Sequence, residues 1–393
     1  MSAPQTCPNC RNGVMTIFFT QQSVPVNSCI LMSSVEEAKN YPRGNIELGF
    51  CSECGFVSNT TFDPALIEYS ARYEETQGFS PTFNTFHEDL AKRVVSRYSL
   101  NEKEILEIGC GKGEFLNLVC KLGNNKGVGF DPGYAQGREE IEKNDNVEFI
   151  QDFYSDKYSE FKGDFVCCKM TLEHIPNTAD FIDQVGHSID VNRGTVVFFQ
   201  VPDANRILKD CAFEDIYYEH CSYFHDGSLA RLFHNYGLNI LSVDTEYDNQ
   251  YLTIEAKAVS DEEQTPLPKD DQLDTMAQLA ASFDERYRER VGKWQKTLDQ
   301  YWQEDKKVVV WGSGSKGVAF LSSLESNDRI QYVVDINPYR QNHYMAGFGQ
   351  KIAAPEFLQD YRPDLVVVMN RIYQQEISES LVNMGLSPQV LAL

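Results

Sequence analysis

The 393-residue chain has no apolar run near the roughly 18 residues that suggest a membrane span, which argues against an integral membrane protein. Its N-terminus has no basic stretch followed by an apolar segment, so no secretory signal is visible and a cytoplasmic location is expected. Basic residues are few: 35 Lys and Arg stand against 58 Asp and Glu, a net charge of -23. Affinity for nucleic acid comes largely from Lys and Arg on phosphates, so a nucleic-acid partner is not expected. Small anionic substrates stay open, because backbone N–H groups with one or two cations can hold a phosphate. There is no low-complexity tract. The apolar fraction of 42% and charged fraction of 24% are ordinary for a globular protein. The length suggests two or three domains.

Cysteine is present in an odd number, 11. Seven of these lie singly or as an adjacent pair, mostly in apolar or glycine-rich stretches. The other four form Cys7-Pro-Asn-Cys10 and Cys51-Ser-Glu-Cys54. Without a secretory signal, two C-x-x-C pairs point to a metal site in a reducing compartment and not to a disulfide framework. Four thiolates suit a structural, tetrahedral Zn2+; a redox dithiol or four unrelated thiols are the alternatives.

The pattern along the chain divides it into a zinc-binding segment over 1–72, an α/β segment over 73–259, a linker and long helix over 260–304, and a second α/β segment over 305–393. Val14–Thr20 has the pattern of a strand. Phe83–Tyr98 is helical, and Ile105–Ile108 is a strand entering Gly109-Cys110-Gly111-Lys112-Gly113, followed by the helix Glu114–Leu122. Strands follow at Gly127–Phe130, Val147–Ile150, Phe165–Met170 and Thr195–Val201, then Asn239–Tyr247 and Gln250–Val259 with no helix between them. Alternating strands and helices predict a doubly wound parallel sheet, here ending in a hairpin as class I methyltransferases do. The acidic, proline-containing stretch Ser260–Gln272 predicts a linker. From Leu273 to Tyr301 apolar residues recur three or four apart and predict one long helix with a packing stripe. The last segment has strands at Val308–Trp311, Ile330–Val334 and Leu365–Met369, with Gln389–Leu391 as a further one. This is a smaller Rossmann-like unit with the glycine loop Gly312–Gly317.

Glycines at 109, 111 and 113 allow close approach of the backbone to a ligand at the sheet's carboxyl edge. Asp131, closing the next strand, stands where ribose hydroxyls would be bound. A dehydrogenase shares both features. Glu107 inside the strand and the terminal hairpin favour S-adenosylmethionine over NAD, and Gln151 and Asp152 stand where the adenine would lie. Two polar clusters follow strand ends: Thr171-Leu172-Glu173-His174-Ile175-Pro176 and Tyr217-Tyr218-Glu219-His220-Cys221-Ser222-Tyr223-Phe224. Ligands bind beyond the carboxyl ends of such strands, and histidine moves protons near neutrality. A lone histidine is more often a structural hydrogen-bonder; Tyr, Glu and His within four residues beside a cofactor site favour chemistry. In the second loop Gly312, Gly314 and Lys316 would cradle a pyrophosphate or form a turn that packs helix on strand.

With the zinc knuckles, Glu107–Gly113, His174-Ile175-Pro176, Tyr217-x-Glu219-His220-x-x-Tyr223-Phe224 and Gly312–Gly317 in this order, the chain resembles the sugar C-methyltransferases of deoxysugar pathways over nearly all its length. The resemblance implies a zinc domain, an S-adenosylmethionine domain and a C-terminal domain that helps to hold a nucleotide-sugar. It implies methyl transfer to C3 of a nucleotide-linked 4-keto-6-deoxyhexose. By position, Tyr217, Glu219, His220, His174 and Tyr73 would line the sugar site, with Tyr223 and the second glycine loop contributing to substrate binding. Family members carry a Gly-Gly-Ser-x-Arg-like stretch where this chain has Tyr247-Asp248-Asn249-Gln250-Tyr251-Leu252, without the Arg. A carbon beside a ketone is acidic enough for a positioned base, here His220 or Glu219, while Tyr217 and His174 would donate to the enolate oxygen. Two other classes remain: an O- or N-methyltransferase of another metabolite, and a nucleotide-binding scaffold without turnover. A monomer or small homo-oligomer is expected.

Overall fold

The computed structural model describes residues 5–138, 144–258, 265–267 and 272–393. Three sheets organise it. In the first, β1 (Met15–Pro25) pairs antiparallel with β2 (Arg43–Cys51), β2 with β3 (Val57–Asn59), and β3 with β9 (Ser222–Tyr223). The strand expected over Val14–Thr20 runs on to Pro25. Register shifts after Ile17 and after Gln21, with Ser23 at φ 56°, bend it through a polar stretch that has no strand-like alternation. The sheet also extends past residue 72, because its last strand comes from just after His220.

The second sheet has seven strands: β4 (Glu104–Ile108), β5 (Lys126–Phe130), β6 (Val147–Ile150), β7 (Phe165–Lys169), β8 (Val196–Pro202), β10 (Leu238–Glu246) and β11 (Tyr251–Ala258). Their order is β10-β11-β8-β7-β4-β5-β6. The first five run parallel, and the hairpin β10–β11 adds antiparallel against β8. This is the class I methyltransferase arrangement expected from the strand pattern. The apolar runs at β7 and β8 are buried on both faces: Val166, Cys167, Cys168, Val197, Phe198 and Phe199 are wholly enclosed. The lone cysteines here act as small apolar side chains, and none of the 11 cysteines is in a disulfide.

The third sheet is wholly parallel, in the order β14-β13-β12-β15-β16, formed by β12 (Val308–Trp311), β13 (Tyr332–Val334), β14 (Lys351–Ala353), β15 (Leu365–Val368) and β16 (Gln389–Ala392). β14 is an addition to the expected strands; its three residues are too short to carry a period. Much of the expected linker lies outside the described residues. The expected long helix is two, Leu273–Ala281 and Phe283–Gln303. They part at Ser282 (φ -96°, ψ 0°), where the Arg286 guanidinium turns back onto the Leu279 carbonyl at 2.9 Å and the Ser282 hydroxyl at 3.2 Å. The second helix ties the units together. Phe283 packs edge-on against Phe19 of β1 at 5.3 Å, while Leu298 is buried in the core of the third sheet's unit.

Both parallel sheets have a switch point, β4 between β5 and β7 and β12 between β13 and β15, where strand order reverses and ligands bind. The two carboxyl edges face one shared cavity of about 840 Å³.

Candidate active site

The first glycine loop leaves β4 with Gly109, Gly111 and Gly113 at φ 69°, 55° and 86°, all left-handed. At Gly109 a Cβ would lie 2.0 Å from the Thr171 hydroxyl oxygen, so only glycine fits. Asp131, at the end of β5, accepts from Gly111 N–H at 2.9 Å and Gly133 N–H at 2.7 Å, which fixes the loop's shape. Glu107 is 2% exposed and lines the cavity. Its Oε2 has no hydrogen-bond partner in the protein, and burial pushes its carboxyl up to about 8. A buried, unpartnered acceptor beside an open glycine loop fits the hydroxyl and amino donors of S-adenosylmethionine. Asp152 is on the cavity wall, held by Lys157 and, at 2.7 Å, by the Tyr158 hydroxyl. Gln151 does not share that wall: it is exposed and reaches the Pro132 carbonyl at 3.4 Å, while Phe153 faces the cavity. Gly113 starts the following helix, and a Cβ there would strike the Phe149 ring at 2.4 Å, so its glycine serves packing.

The two histidine clusters meet across the cavity. The rings of His174 and His220 are 5.0 Å apart, edge to face. His220 Nε2 lies 2.5 Å from the Tyr217 hydroxyl, and its Nδ1 is buried without a partner. Burial holds the His220 imidazole well below its usual pKa, so it is neutral and able to accept a proton. His174 is likewise pushed down to about 4 by burial, and its Nδ1 meets the Tyr69 hydroxyl at 2.9 Å. Glu173 adds a carboxyl 3.9 Å from His220 Nε2. Neither Glu173 oxygen has a hydrogen-bond partner, and burial pushes this group up to about 8.

Two residues of the expected sugar site face elsewhere. Glu219 is completely buried and turned away from the cavity. It accepts from Ser28 N–H at 2.9 Å, the Ser28 hydroxyl at 2.7 Å, the Tyr73 hydroxyl at 3.1 Å and the Asn27 amide at 3.5 Å. Tyr73 itself reaches the cavity. Tyr223 belongs to β9, and its ring packs into the core beneath the first sheet.

In the second loop, Gly312, Gly314 and Lys316 line the cavity. Lys316 is already paired: its ammonium bonds Asp215, which also takes Arg206 at 2.6 Å. It is therefore not a free cation for pyrophosphate. Of the stretch Tyr247–Leu252, Gln250 and Tyr251 reach the wall, and Gln250 donates to the Asn370 side-chain oxygen at 3.1 Å.

The four knuckle cysteines converge, with all four sulfurs within 4.8 Å of one another, and with Cys7–Cys54 at 3.7 Å and Cys10–Cys51 at 3.8 Å. Tetrahedral Zn–S bonds of about 2.3 Å require sulfurs about 3.8 Å apart, so the residues fit the ion.

Sequence reasoning missed Glu173, Gln200, Ser28 and Ser315. Glu173 sits inside a cluster already singled out, and its neighbour in sequence drew the attention. Gln200 is on the cavity wall with an unpartnered amide nitrogen, but nothing local marks it within an apolar strand. Ser28 and Ser315 act across units, and no spacing pattern reports that.

Residues 83–243 match the model of a methyltransferase domain family, and residues 252–385 match that of the C-methyltransferase C-terminal domain. The C-methyltransferase NovU of Streptomyces niveus is 25% identical over 308 residues, covering 74% of this chain and 72% of that protein. Among solved structures, magnesium protoporphyrin IX methyltransferase of Synechocystis PCC 6803 with bound SAM is 15% identical, over 47% of this chain and 86% of that one, at a TM-score of 0.34. The 1,6-didemethyltoxoflavin-N1-methyltransferase of Burkholderia thailandensis is 12% identical, over 46% and 82%, at 0.35. The two domain matches span most of the chain in the order its sheets require, and with the glycine loop and its unpartnered carboxylate they make it a member of the S-adenosylmethionine-dependent C-methyltransferases.

Proposed function

We propose that the enzyme methylates the carbon beside the ketone of a nucleotide-linked 4-keto-6-deoxyhexose, at C3. The observation that supports this is His220: a neutral imidazole on the cavity wall, set by its bond to the Tyr217 hydroxyl and 5.0 Å from the His174 ring, placed to take a proton from a substrate carbon. Bound S-adenosylmethionine supplies the methyl group, and Glu107, Gly109, Gly111, Asp131 and Asp152 would hold it. Tyr217 orients His220 through their hydrogen bond. His174, neutral and tied to Tyr69, would help to stabilise the developing enolate oxygen. The cavity between the two carboxyl edges would hold the reacting groups at attack distance. Glu219 positions Tyr73 and the Asn27–Ser28 segment. The nucleotide end belongs to the unit over 305–393, where Gly312 and Gly314 keep one wall free of side chains. Zn2+ on Cys7, Cys10, Cys51 and Cys54 is structural, since four thiolates leave no open position. Among the described residues no helix is long and apolar enough to cross a membrane.

Mass spectrometry after incubation with S-adenosylmethionine and a panel of nucleotide 4-keto-6-deoxysugars in deuterated buffer tests the reading. A gain of one methyl group with deuterium at the carbon beside the ketone is expected. Methyl gain by an acceptor without exchange would transfer the assignment to O- or N-methylation. His220→Ala should lower turnover by about 10²–10⁴-fold, as removal of a general base does, with cofactor affinity by calorimetry unchanged. Cys51→Ser should lower zinc content by elemental analysis together with the unfolding midpoint, because structural zinc contributes folding free energy.

A further inference from the structure

We propose that Lys169 binds the α-carboxylate of S-adenosylmethionine and so fixes the amino-acid end of the cofactor. The inference concerns the cofactor alone and holds whatever the methyl acceptor is. Lys169 is the last residue of β7. The β4–β7 register pairs Glu107 with Cys167, and residues paired in this way share a face of the sheet. Lys169 is two residues beyond Cys167, so its side chain leaves the sheet on the face that carries Glu107, beside the first glycine loop. Two helices pack on that face: Pro81–Arg97, which brings His87, and Glu114–Gly123, which brings Phe115. The Lys169 Nζ is 2.7 Å from His87 Nε2 and 4.0 Å from the centre of the Phe115 ring. Lys169, His87, Glu107 and Phe115 all line the cavity.

Neither of these neighbours is an anion. Burial, and then the Lys169 charge, hold the His87 imidazole well below its usual pKa. His87 is therefore neutral, and its Nε2 accepts from the Lys169 ammonium. That bond aims the head of a long, flexible side chain but leaves its charge unbalanced. The other lysines and arginines on the wall, among the described residues, are Lys112, Lys316 and Arg340. Lys112 donates to the Tyr73 and Gly133 carbonyls, at 2.8 Å each, and has Glu75 at 3.3 Å. Lys316 has Asp215, and Arg340 has Asp335 at 3.5 Å. Among the described residues, Lys169 is thus the one of the four that forms no ion pair with a carboxylate. An ammonium withdrawn from water without a counter-ion is costly, and an arriving anion recovers that cost.

The chemistry of the cofactor names the anion. S-adenosylmethionine carries a sulfonium, an ammonium and one carboxylate. A lysine repels the first two, so only the carboxylate can stand beside it. The phosphates of a nucleotide-linked substrate are the other anions such a cavity would receive. Lys169, however, stands on the carboxyl edge that carries the first glycine loop, not on the edge that carries the second. With the carboxylate at Lys169, the ligand's ammonium lies toward Glu107. Opposite charges of the methionine part then meet opposite charges of the protein, which sets the direction of that chain and with it the position of the sulfonium methyl.

The test is calorimetry of the whole enzyme with three ligands: S-adenosylmethionine, its decarboxylated form, and 5′-methylthioadenosine, which lacks the amino-acid end. Lys169→Met should weaken S-adenosylmethionine at least about tenfold, as loss of a hydrogen bond to a charged group does. It should leave the other two ligands within about twofold, which also shows that the site is still folded. The unaltered enzyme gives the same answer without a variant: removing the carboxylate from the ligand should cost about as much as removing the lysine, because each breaks one contact. Equal binding of S-adenosylmethionine and its decarboxylated form by the unaltered enzyme would overturn the proposal, as would equal weakening of all three ligands in Lys169→Met. Unchanged cofactor affinity in that variant with a raised KM for the nucleotide-sugar would assign Lys169 to the substrate's phosphates and overturn it too. None of these outcomes bears on the keto-sugar reading, which the deuterium exchange decides.

Discussion

The molecule contains the same loop twice. Each follows the strand at the switch point of its sheet, and each is tied by a carboxylate at the end of the next strand. Asp131 accepts from Gly111 N–H at 2.9 Å, and Asp335 accepts from Ser313 N–H at 2.8 Å and the Ser313 hydroxyl at 2.6 Å. The first glycine of each loop donates to the carbonyl before that Asp at 2.8 Å: Gly109 to Phe130, Gly312 to Val334. They part in what their side chains have left to offer. Around the first loop Glu107 is left with an unpartnered oxygen. Around the second, Lys316 is bound by Asp215, and Arg340 is bonded to the Glu74 carbonyl at 2.5 Å and 3.0 Å, with Asp335 at 3.5 Å. A glycine loop in a sequence specifies a backbone turn. Whether it binds a ligand is decided by side chains from elsewhere that satisfy or fail to satisfy its polar groups.

Replacing one glycine in each loop separates the two most widely. Gly109→Ala forces a left-handed residue against Thr171, and cofactor affinity should fall at least about tenfold by calorimetry. Gly314→Ala meets only the end of the Arg340 side chain, at 2.7 Å, so cofactor affinity should stay within twofold. Equal losses would mean that the loops are alike in function.

The next contrast concerns Lys316. A fully buried pair loses about 3–5 kcal/mol when broken, but Lys316 is 20% exposed and Asp215 keeps Arg206, so Lys316→Met should cost about 1–2 kcal/mol in denaturant unfolding. Were Lys316 a phosphate-binding cation, the change would raise the sugar's KM and leave stability alone.

The smallest effect is on pH dependence. Glu107 has its carboxyl raised from the ordinary 4.5 to about 8 in the folded, cofactor-free protein. The native state then holds a proton that the unfolded chain releases, so this contribution to stability is complete below pH 4.5 and is lost as pH rises through 8. Glu107→Gln should flatten the decline of the unfolding midpoint over that window. An unchanged slope would show that the carboxyl is ionised and that the first loop is as satisfied as the second.

Much of the parallel architecture was legible because its strands are short apolar runs ended by glycine or aspartate, as at Val147–Ile150 and Val308–Trp311, whose bounds agree with the observed ones. The helix break at Ser282 was not, since the apolar stripe continues through it; the Leu279 carbonyl there is met by the Arg286 guanidinium. In the site, the first glycine loop and His174 with His220 stand on one cavity as their positions after strands imply. Glu219 and Tyr223 share the His220 motif but point away, because side chains of an irregular segment alternate in direction with no period to count. The pairing of Lys316 was illegible for another reason: Asp215 is a hundred residues away in the chain, and only the fold joins them.

The short strand β9 has a consequence for how the chain comes to be folded. It completes a sheet whose other strands begin at Met15, and it starts two residues after His220. During synthesis the first 60 or so residues emerge long before Ser222 and Tyr223, and until then the edge at β3 has no neighbour. Domains usually fold in order of emergence, but here the first must wait for the middle of the chain to close its edge. The same pairing that delays it clamps the segment carrying Tyr217 and His220 at its end. Cutting the gene at residue 72 would therefore not release two independent parts: it would leave one with an open edge and the other with a loosened base.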